Sequence, residues 1–86
     1  MYKIQYRRSV EKQLRKLSPS VRKQVFKRIN ILATNPRPDG VTKLQGGDSA
    51  YRIRQGDYRI IYQIIDDKLI VEVIRIGHRS DVYRTK

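Results

Sequence analysis

Residues 43–62 of this 86-residue chain read KLQGGDSAYRIRQGDYRIIY, and they predict a β-hairpin. The runs at 51–54 and 58–65 are rich in tyrosine, isoleucine and arginine, whereas the run at 55–57 contains the Gly-Asp pair typical of a tight turn. We therefore expect two antiparallel strands joined by a short turn at 55–57.

The hairpin brings three arginines together. Side chains alternate between the faces of a strand, so Arg52 and Arg54 share one face about 7 Å apart along the strand. Tyr51 and Ile53 then point to the other face, and Arg59 can approach both arginines from beyond the turn. Guanidinium groups repel one another unless an anion joins them, and they match phosphate in a bidentate way. The pattern favours a nucleic-acid backbone as partner; the alternative is a row of exposed arginines that keeps a sheet edge from aggregating.

Before the hairpin, the hydrophobic periodicity predicts one strand and two helices. Residues 2–7 alternate apolar and polar side chains, as a strand does. Apolar residues at helical spacing then indicate a helix capped by Ser9 and a second helix that begins at Ser18 and Pro19. The Asn-, Pro- and Gly-rich run at 35–40 ends the second helix.

After the hairpin, residues 68–76 (KLIVEVIRI) predict a last strand, with a turn at 66–67 before it. Residues 59–65 and 68–76 are apolar on both faces over much of their length, which is typical of strands in the middle of a sheet. The order β-α-α-β-β-β predicts a single α+β domain over residues 1–86. Its mainly antiparallel four-stranded sheet carries a helical hairpin packed on one face.

Composition narrows the choice of partners. Lys and Arg number 20 against 8 Asp and Glu, a net charge of +12. Such a field favours phosphate binding by counterion release, although an acidic protein could neutralise the same surface. The chain has no cysteine and no apolar run near the ~20 residues of a membrane span. Its first ten residues contain no apolar core run and no small-residue cleavage site, so we expect no signal peptide. We expect a cytoplasmic protein without a membrane partner.

Cations of the predicted helices form a second candidate surface. They outnumber the acids there, which indicates either a phosphate-contacting wall or an ordinary solvated face. The candidate RNA- or ribosome-binding residues are Arg8, Lys12, Arg15, Arg22, Lys23, Lys27, Arg28 and Lys43.

The segment after the last strand holds the remaining candidate chemistry. His78, the single histidine, is of the type that can exchange a proton near neutral pH, and Arg79 follows it. Tyr83 can stack on a base or donate a proton to a leaving oxygen. Together with Arg52, Arg54 and Arg59, these residues allow a ribonuclease that uses no metal. No His, Asp or Glu spacing suggests a metal ligand set, and we expect no cofactor.

These motifs, taken in their order and spacing, resemble the RelE/ParE superfamily of bacterial and archaeal toxins, and more specifically its RelE branch. The resemblance covers nearly the whole chain. The parts that carry it by their order and spacing include KLQG at 43–46, YRIR at 51–54, GDYRIIY at 56–62, GHR at 77–79 and VY at 82–83.

The resemblance implies a type II toxin that enters the ribosomal A site. There it cuts messenger RNA by attack of a 2′-hydroxyl on the adjacent phosphate, leaving a 2′,3′-cyclic phosphate without the help of a metal. It also implies a cognate, RelB-like antitoxin that wraps the toxin with a partly helical segment. DNA would be contacted indirectly, through the antitoxin.

The resemblance also implies roles for individual residues. Arg52 and Arg54 fall where lysines of the best-known members hold phosphate. Arg59 and Arg79 match arginines that stabilise the transition state, and Tyr83 matches a tyrosine that stacks on the cut nucleotide. His78 is our candidate for the proton carrier, because arginines stay protonated.

Two other functions remain open at this stage. A toxin of the ParE branch would inhibit DNA gyrase and cut no RNA, although the complete set of arginines favours the RelE branch. A non-catalytic basic module that binds RNA or the ribosome would use the same charges.

Overall fold

The fold is one sheet with two helices packed on one of its faces, in a computed structural model that describes residues 1–44 and 50–78. The elements are β1 Lys3–Tyr6, α1 Arg8–Arg15, α2 Pro19–Ile31, β2 Thr42–Lys43, β3 Ala50–Gln55, β4 Tyr58–Ile65 and β5 Ile70–His78. A 3₁₀ turn, Asp66–Lys68, joins β4 to β5. The predicted α+β class is confirmed.

The sheet has the order β1-β5-β4-β3-β2. β1 pairs in parallel with β5, and the other pairs are antiparallel. β4 and β5 thus lie inside the sheet, as their apolar sequences predict. The described residues form five strands and not four, because Thr42 and Lys43 pair with Arg52 and Tyr51. Two residues are too few for an alternating pattern to reveal a strand.

The central hairpin turns more tightly than predicted. Gln55 still pairs with Tyr58, so Gly56 and Asp57 alone form the turn. Gly56 has a φ of 61°, which glycine adopts without the steric cost that a Cβ would bring. Such a two-residue turn fixes the register of the two strands beside it.

The start of α1 was predicted wrongly, whereas that of α2 was predicted correctly. α1 begins at Arg8, so Ser9 lies inside its first turn and no side chain caps it. At α2, the Ser18 hydroxyl accepts a hydrogen bond from the Val21 N–H, and Pro19 takes the first helical position. The pattern around Ser9 could not show where β1 ends.

The core lies between the helices and one face of the sheet. It contains alternate residues of β3 and β4, as expected for strands with one face covered. Its fully buried members include Val10, Val25, Ile29, Leu32, Ile53, Ile60, Tyr62, Val71 and Val73. In the described residues neither helix lies on the opposite face of the sheet.

A polar network at the far end of the sheet joins distant parts of the chain. The Tyr2 hydroxyl donates to Asp66 Oδ1 at 2.6 Å, and Arg37 Nη2 donates to Asp66 Oδ2 at 2.9 Å. Arg37 also donates from Nε to the Tyr51 hydroxyl at 3.2 Å. The hydrogen bond from Arg37, aided by that from Tyr2, holds the pKa of Asp66 below its ordinary value. The sequence pattern predicts only a turn at Asp66.

We expect Asp66→Asn to lower the free energy of unfolding at pH 7. Because the pKa of Asp66 is lower in the folded state, its carboxylate stabilises the fold above the ordinary pKa of 3.8. That contribution is lost as the pH falls through the folded-state pKa, so the difference between the variant and the parent should shrink between pH 7 and about pH 3. Urea denaturation at both pH values measures the difference.

Asp67→Asn is the matched control for this prediction. Asp67 is the exposed neighbour of Asp66, and its side chain makes no hydrogen bond to the described residues. Its replacement should have little effect. A deficit of Asp66→Asn that is the same at both pH values would contradict the role given to the carboxylate.

Candidate nucleic-acid interface

Three predicted arginines lie together on the face of the sheet away from the helices. Arg54 is directly opposite Arg59 in the β3–β4 ladder, and Arg52 is directly opposite Ile61. Residues directly opposite have Cβ atoms about 5 Å apart, and diagonal neighbours about 7–8 Å. Arg59 therefore has Arg54 beside it and Arg52 on its diagonal, as the hairpin predicts.

The surroundings of these arginines concentrate positive charge. Arg59 is only 5% exposed, Arg52 is half-buried and Arg54 is exposed. The ion pairs among the described residues are Arg7–Glu72 and Arg37–Asp66, so Arg52 and Arg54 have no acidic partner there. Like charges directly opposite each other destabilise a sheet, and a bound anion would remove that cost.

Arg75 is a fourth arginine on this face, and sequence analysis missed it. It is directly opposite Ile61 across the β4–β5 ladder, whereas Gly77 is opposite Arg59. The next residue of β4, Tyr62, pairs with Val73 and not with Ile74. β5 therefore contains one extra residue at this point, which is a β-bulge. Counting by twos along β5 would put Arg75 toward the helices, and the bulge reverses this. We call Arg52, Arg54, Arg59 and Arg75 the arginine face.

His78 lies on the other side of the sheet. It pairs with Tyr58, and the two rings meet edge to face with centres 5.5 Å apart. Because Arg59 pairs with Gly77, alternation gives His78 the side that faces the helices. The sequence pattern predicts His78 close to the arginines, whereas the structure places it on the opposite face of the sheet from them.

His78 instead lines a cleft of about 380 Å³ where the end of β5 meets α1. Gln13 comes from α1, Lys16 is the residue that follows this helix, and Arg75 and Tyr58 come from the sheet. The Gln13 side chain accepts a hydrogen bond from the Ile76 N–H at 2.7 Å, which holds α1 against the part of β5 beyond β1. The cleft therefore adjoins the arginine face at Arg75.

Five of the predicted binding cations are exposed on the helices. The three cations on α1 are four and three residues apart, so they lie along one side of that helix. The two cations on α2 are four residues apart and also share one side. They are Arg8, Lys12, Arg15, Lys23 and Lys27. Lys43 is also exposed, on β2.

Arg22 and Arg28 have bonds within the protein. Arg22 donates to the carbonyl oxygens of Leu14, Arg15 and Leu17 at 3.0, 3.4 and 2.9 Å. These bonds satisfy backbone acceptors that the end of α1 leaves without a helical partner. Arg28 Nε donates to the Arg54 carbonyl oxygen at 3.3 Å and joins α2 to β3. The structure thus gives both arginines a structural task that sequence analysis did not foresee.

Two predicted residues, Arg79 and Tyr83, lie outside the described residues. Within the described residues, no three His, Asp or Glu side chains form a group that could hold a metal ion. The helices of this part of the chain are also too short or too polar to cross a membrane.

The sequence and the fold both match known toxins. The family described as the ParE toxin of the type II toxin-antitoxin system matches residues 4–83. The mRNA interferase toxin RelE of Escherichia coli K12 is 41% identical over 76 residues, covering 84% of this chain and 79% of the relative. A putative RelE-like toxin of Escherichia coli is 34% identical, covering 95% of this chain and 90% of the relative.

The solved structures agree with these relatives. The toxin chain in the crystal structure of the intact Escherichia coli RelBE toxin-antitoxin complex has a TM-score of 0.81 and 34% identity, and the match covers 91% of this chain and 96% of that one. The match to the archaeal RelE-RelB complex from Pyrococcus horikoshii has a TM-score of 0.81 and 28% identity, and it covers 91% of this chain and 94% of that one. The chain belongs to the RelE/ParE superfamily of type II toxins, in its RelE branch.

The geometry of the arginine face predicts an effect on stability. Arg54→Gln removes the charge directly opposite Arg59, so we expect the free energy of unfolding to rise by about 0.5 kcal/mol at low salt. The gain should shrink at about 1 M salt, because ions screen the repulsion. Urea denaturation at the two salt concentrations measures it.

Lys27→Gln is the control, since it removes the same charge from an exposed position in the middle of α2. An equal gain in this variant would assign the effect to net charge alone. That result, or a gain in Arg54→Gln that does not respond to salt, would contradict repulsion within the Arg54–Arg59 pair.

Proposed function

We propose that this type II toxin is a ribosome-dependent endoribonuclease that cuts messenger RNA in the ribosomal A site and so inhibits translation. The observation that carries the proposal is the arginine face, where four guanidinium groups lie close together. Among the described residues, Arg52, Arg54 and Arg75 have no acidic partner. The name mRNA interferase toxin RelE, given to a relative 41% identical, supports the same activity.

In the proposed reaction, the RNA 2′-oxygen attacks the adjacent phosphorus while the bond to the 5′-oxygen of the next nucleotide breaks. The products are a 2′,3′-cyclic phosphate and a 5′-hydroxyl, so the 2′-hydroxyl loses a proton and the leaving oxygen gains one. Arg52 and Arg54 bind the phosphate in this proposal, and Arg59 stabilises charge on its non-bridging oxygens. Arg79 and Tyr83 enter the proposal through the family resemblance alone, as transition-state arginine and stacking residue.

The proposed dependence on the ribosome follows from what the arginine face lacks. Arginine stays protonated in proteins, so these side chains supply charge and grip but take no proton from a hydroxyl. His78, the sequence-based candidate for that task, faces the helices. We propose that the ribosome aligns the message for in-line attack, which is a large part of such a barrier, and that no metal is needed.

We also propose a cognate antitoxin of the RelB type as the protein partner. The solved complexes of similar toxins are RelBE complexes from bacteria and archaea. A net charge of +12 favours an antitoxin segment with acidic groups that covers the basic surface. Any contact with DNA would be made through that antitoxin.

A second candidate, gyrase inhibition, is favoured by one observation: the matching family is described as the ParE toxin. It would use the same fold and yield DNA breaks in place of RNA cuts. A non-catalytic module would bind the ribosome and give neither product.

Primer extension on a message under translation separates these functions. We expect cuts at codon-defined positions with the parent toxin, and little or no cutting of the same RNA without ribosomes. Arg79→Ala should lower cutting at least about 100-fold, since it removes a donor to the developing charge. Ribosome binding and the circular dichroism spectrum should stay near those of the parent.

Lys68→Ala is the matched control, because Lys68 is exposed in the turn at the far end of the sheet. It removes one positive charge and should cut like the parent. Rapid digestion of free RNA would contradict ribosome dependence. Gyrase-linked DNA breaks without RNA cuts would instead establish the second candidate.

The position of His78 gives a separate prediction. Because its ring lies beside Tyr58 on the side facing the helices, we expect His78→Gln to cut within about threefold of the parent between pH 6 and 8. A proton carrier would lose about 100-fold and change the pH profile. A loss of that size would show that His78 transfers a proton in the reaction, and it would contradict this prediction.

A further inference from the structure

We propose that Arg75 binds a second RNA phosphate, next to the one held by the other three arginines. This inference rests on the proposed function, because it assumes that RNA lies across the arginine face. It assigns a binding role to a residue that neither the sequence motifs nor the family resemblance singled out.

The sheet register places Arg75 correctly for this task. Arg59 is opposite Gly77, and Arg75 is two residues before Gly77, so Arg59 and Arg75 are diagonal neighbours. Their Cβ atoms are therefore about 7–8 Å apart. Arg52 lies on the other diagonal of Arg59, in the same row as Ile61 and Arg75. The row thus spans three strands, with a cation at each end and an apolar residue between them.

Arg75 also differs from the arginines that serve the fold. Arg22, Arg28 and Arg37 each donate from Nε to a protein oxygen. The Nε of Arg75 is buried and has no hydrogen-bond partner among the described residues. A buried donor left without an acceptor costs free energy, and a charged one costs more. A phosphate bound to the rest of the guanidinium group would neutralise the charge on this unsatisfied side chain.

The cleft beside Arg75 gives the RNA a path off the sheet. Arg75 lines this cleft with His78 and with Lys16, the residue that follows α1, and the volume of the cleft is about 380 Å³. Gly77 also lines the cleft and has no side chain to block the way from Arg59. The backbone that leaves the central arginines therefore meets Arg75 first and Lys16 beyond it.

The test measures binding of the parent protein to a single-stranded 2′-O-methyl RNA of about 12 nucleotides, which lacks the attacking hydroxyl and cannot be cut. Fluorescence anisotropy over a salt series gives the slope of the logarithm of affinity against the logarithm of salt concentration. Each phosphate contact contributes about 0.7 to that slope for single strands. Arg75→Gln should lower its magnitude by about 0.7 and weaken binding about tenfold at moderate salt.

Three further variants make the result specific. Arg75→Met keeps the unbranched stem and should repeat the loss, so the test does not depend on the folding of Arg75→Gln alone. Arg75→Lys keeps the charge and should restore the slope while recovering only part of the affinity. Lys68→Gln removes a charge from the far end of the sheet and should leave the slope unchanged.

The outcomes separate this inference from the proposed function. A slope that is unchanged in folded Arg75→Gln or Arg75→Met, or no RNA binding by the parent, would overturn the role of Arg75, whether or not translated messages are cut. An equal loss in Lys68→Gln would overturn it too, because net charge alone would then explain the effect. A lowered slope in a protein that cuts no message would support Arg75 and reject the endoribonuclease.

Discussion

The β3–β4 register is the constraint on which the rest of the molecule depends. The two-residue turn at Gly56 and Asp57 sets Arg54 directly opposite Arg59, on the face that the helices leave uncovered. A slip of one residue would move the β3 arginines toward the core and its apolar side chains toward solvent. The same register therefore fixes both the core and the grouping of the charges.

The apolar face of the sheet offsets the cost of this arrangement. Tyr62, Ile60 and Ile53 are almost fully buried against the helices, directly behind the strands that carry the arginines. Burial of such side chains contributes roughly 1.5–3 kcal/mol each, which exceeds the repulsion between two like charges directly opposite each other in a sheet. A rigid sheet can thus hold guanidinium groups near each other before any anion arrives, so a bound phosphate needs little rearrangement of the protein. In this account the protein supplies a fixed positive field, and the RNA supplies its own nucleophile.

Local patterns in the sequence were enough for much of this structure. The alternation around Arg52 and Arg54 predicted that they share one face of the sheet, and the Ser18-Pro19 pair predicted the start of α2. Both signals act within a few residues of the chain. The features that were missed depend on residues far apart in the chain. The bulge that turns Arg75 outward and His78 inward exists in the pairing of β4 with β5, and the Tyr2–Asp66 contact spans 64 positions. For the same reason the sequence showed Arg22 as one more surface cation, although it closes the end of α1.

The most direct test of the central claim is to observe the arginine side chains while RNA binds. Nε–H resonances of ¹⁵N-labelled protein, titrated with a single-stranded 2′-O-methyl RNA, report on each guanidinium separately. The account predicts changes at Arg52, Arg54, Arg59 and Arg75, with Arg7 and Arg37, whose guanidinium groups already hold carboxylates, almost unaffected. Changes confined to the cations of α1 and α2, with the four sheet arginines unmoved, would contradict it.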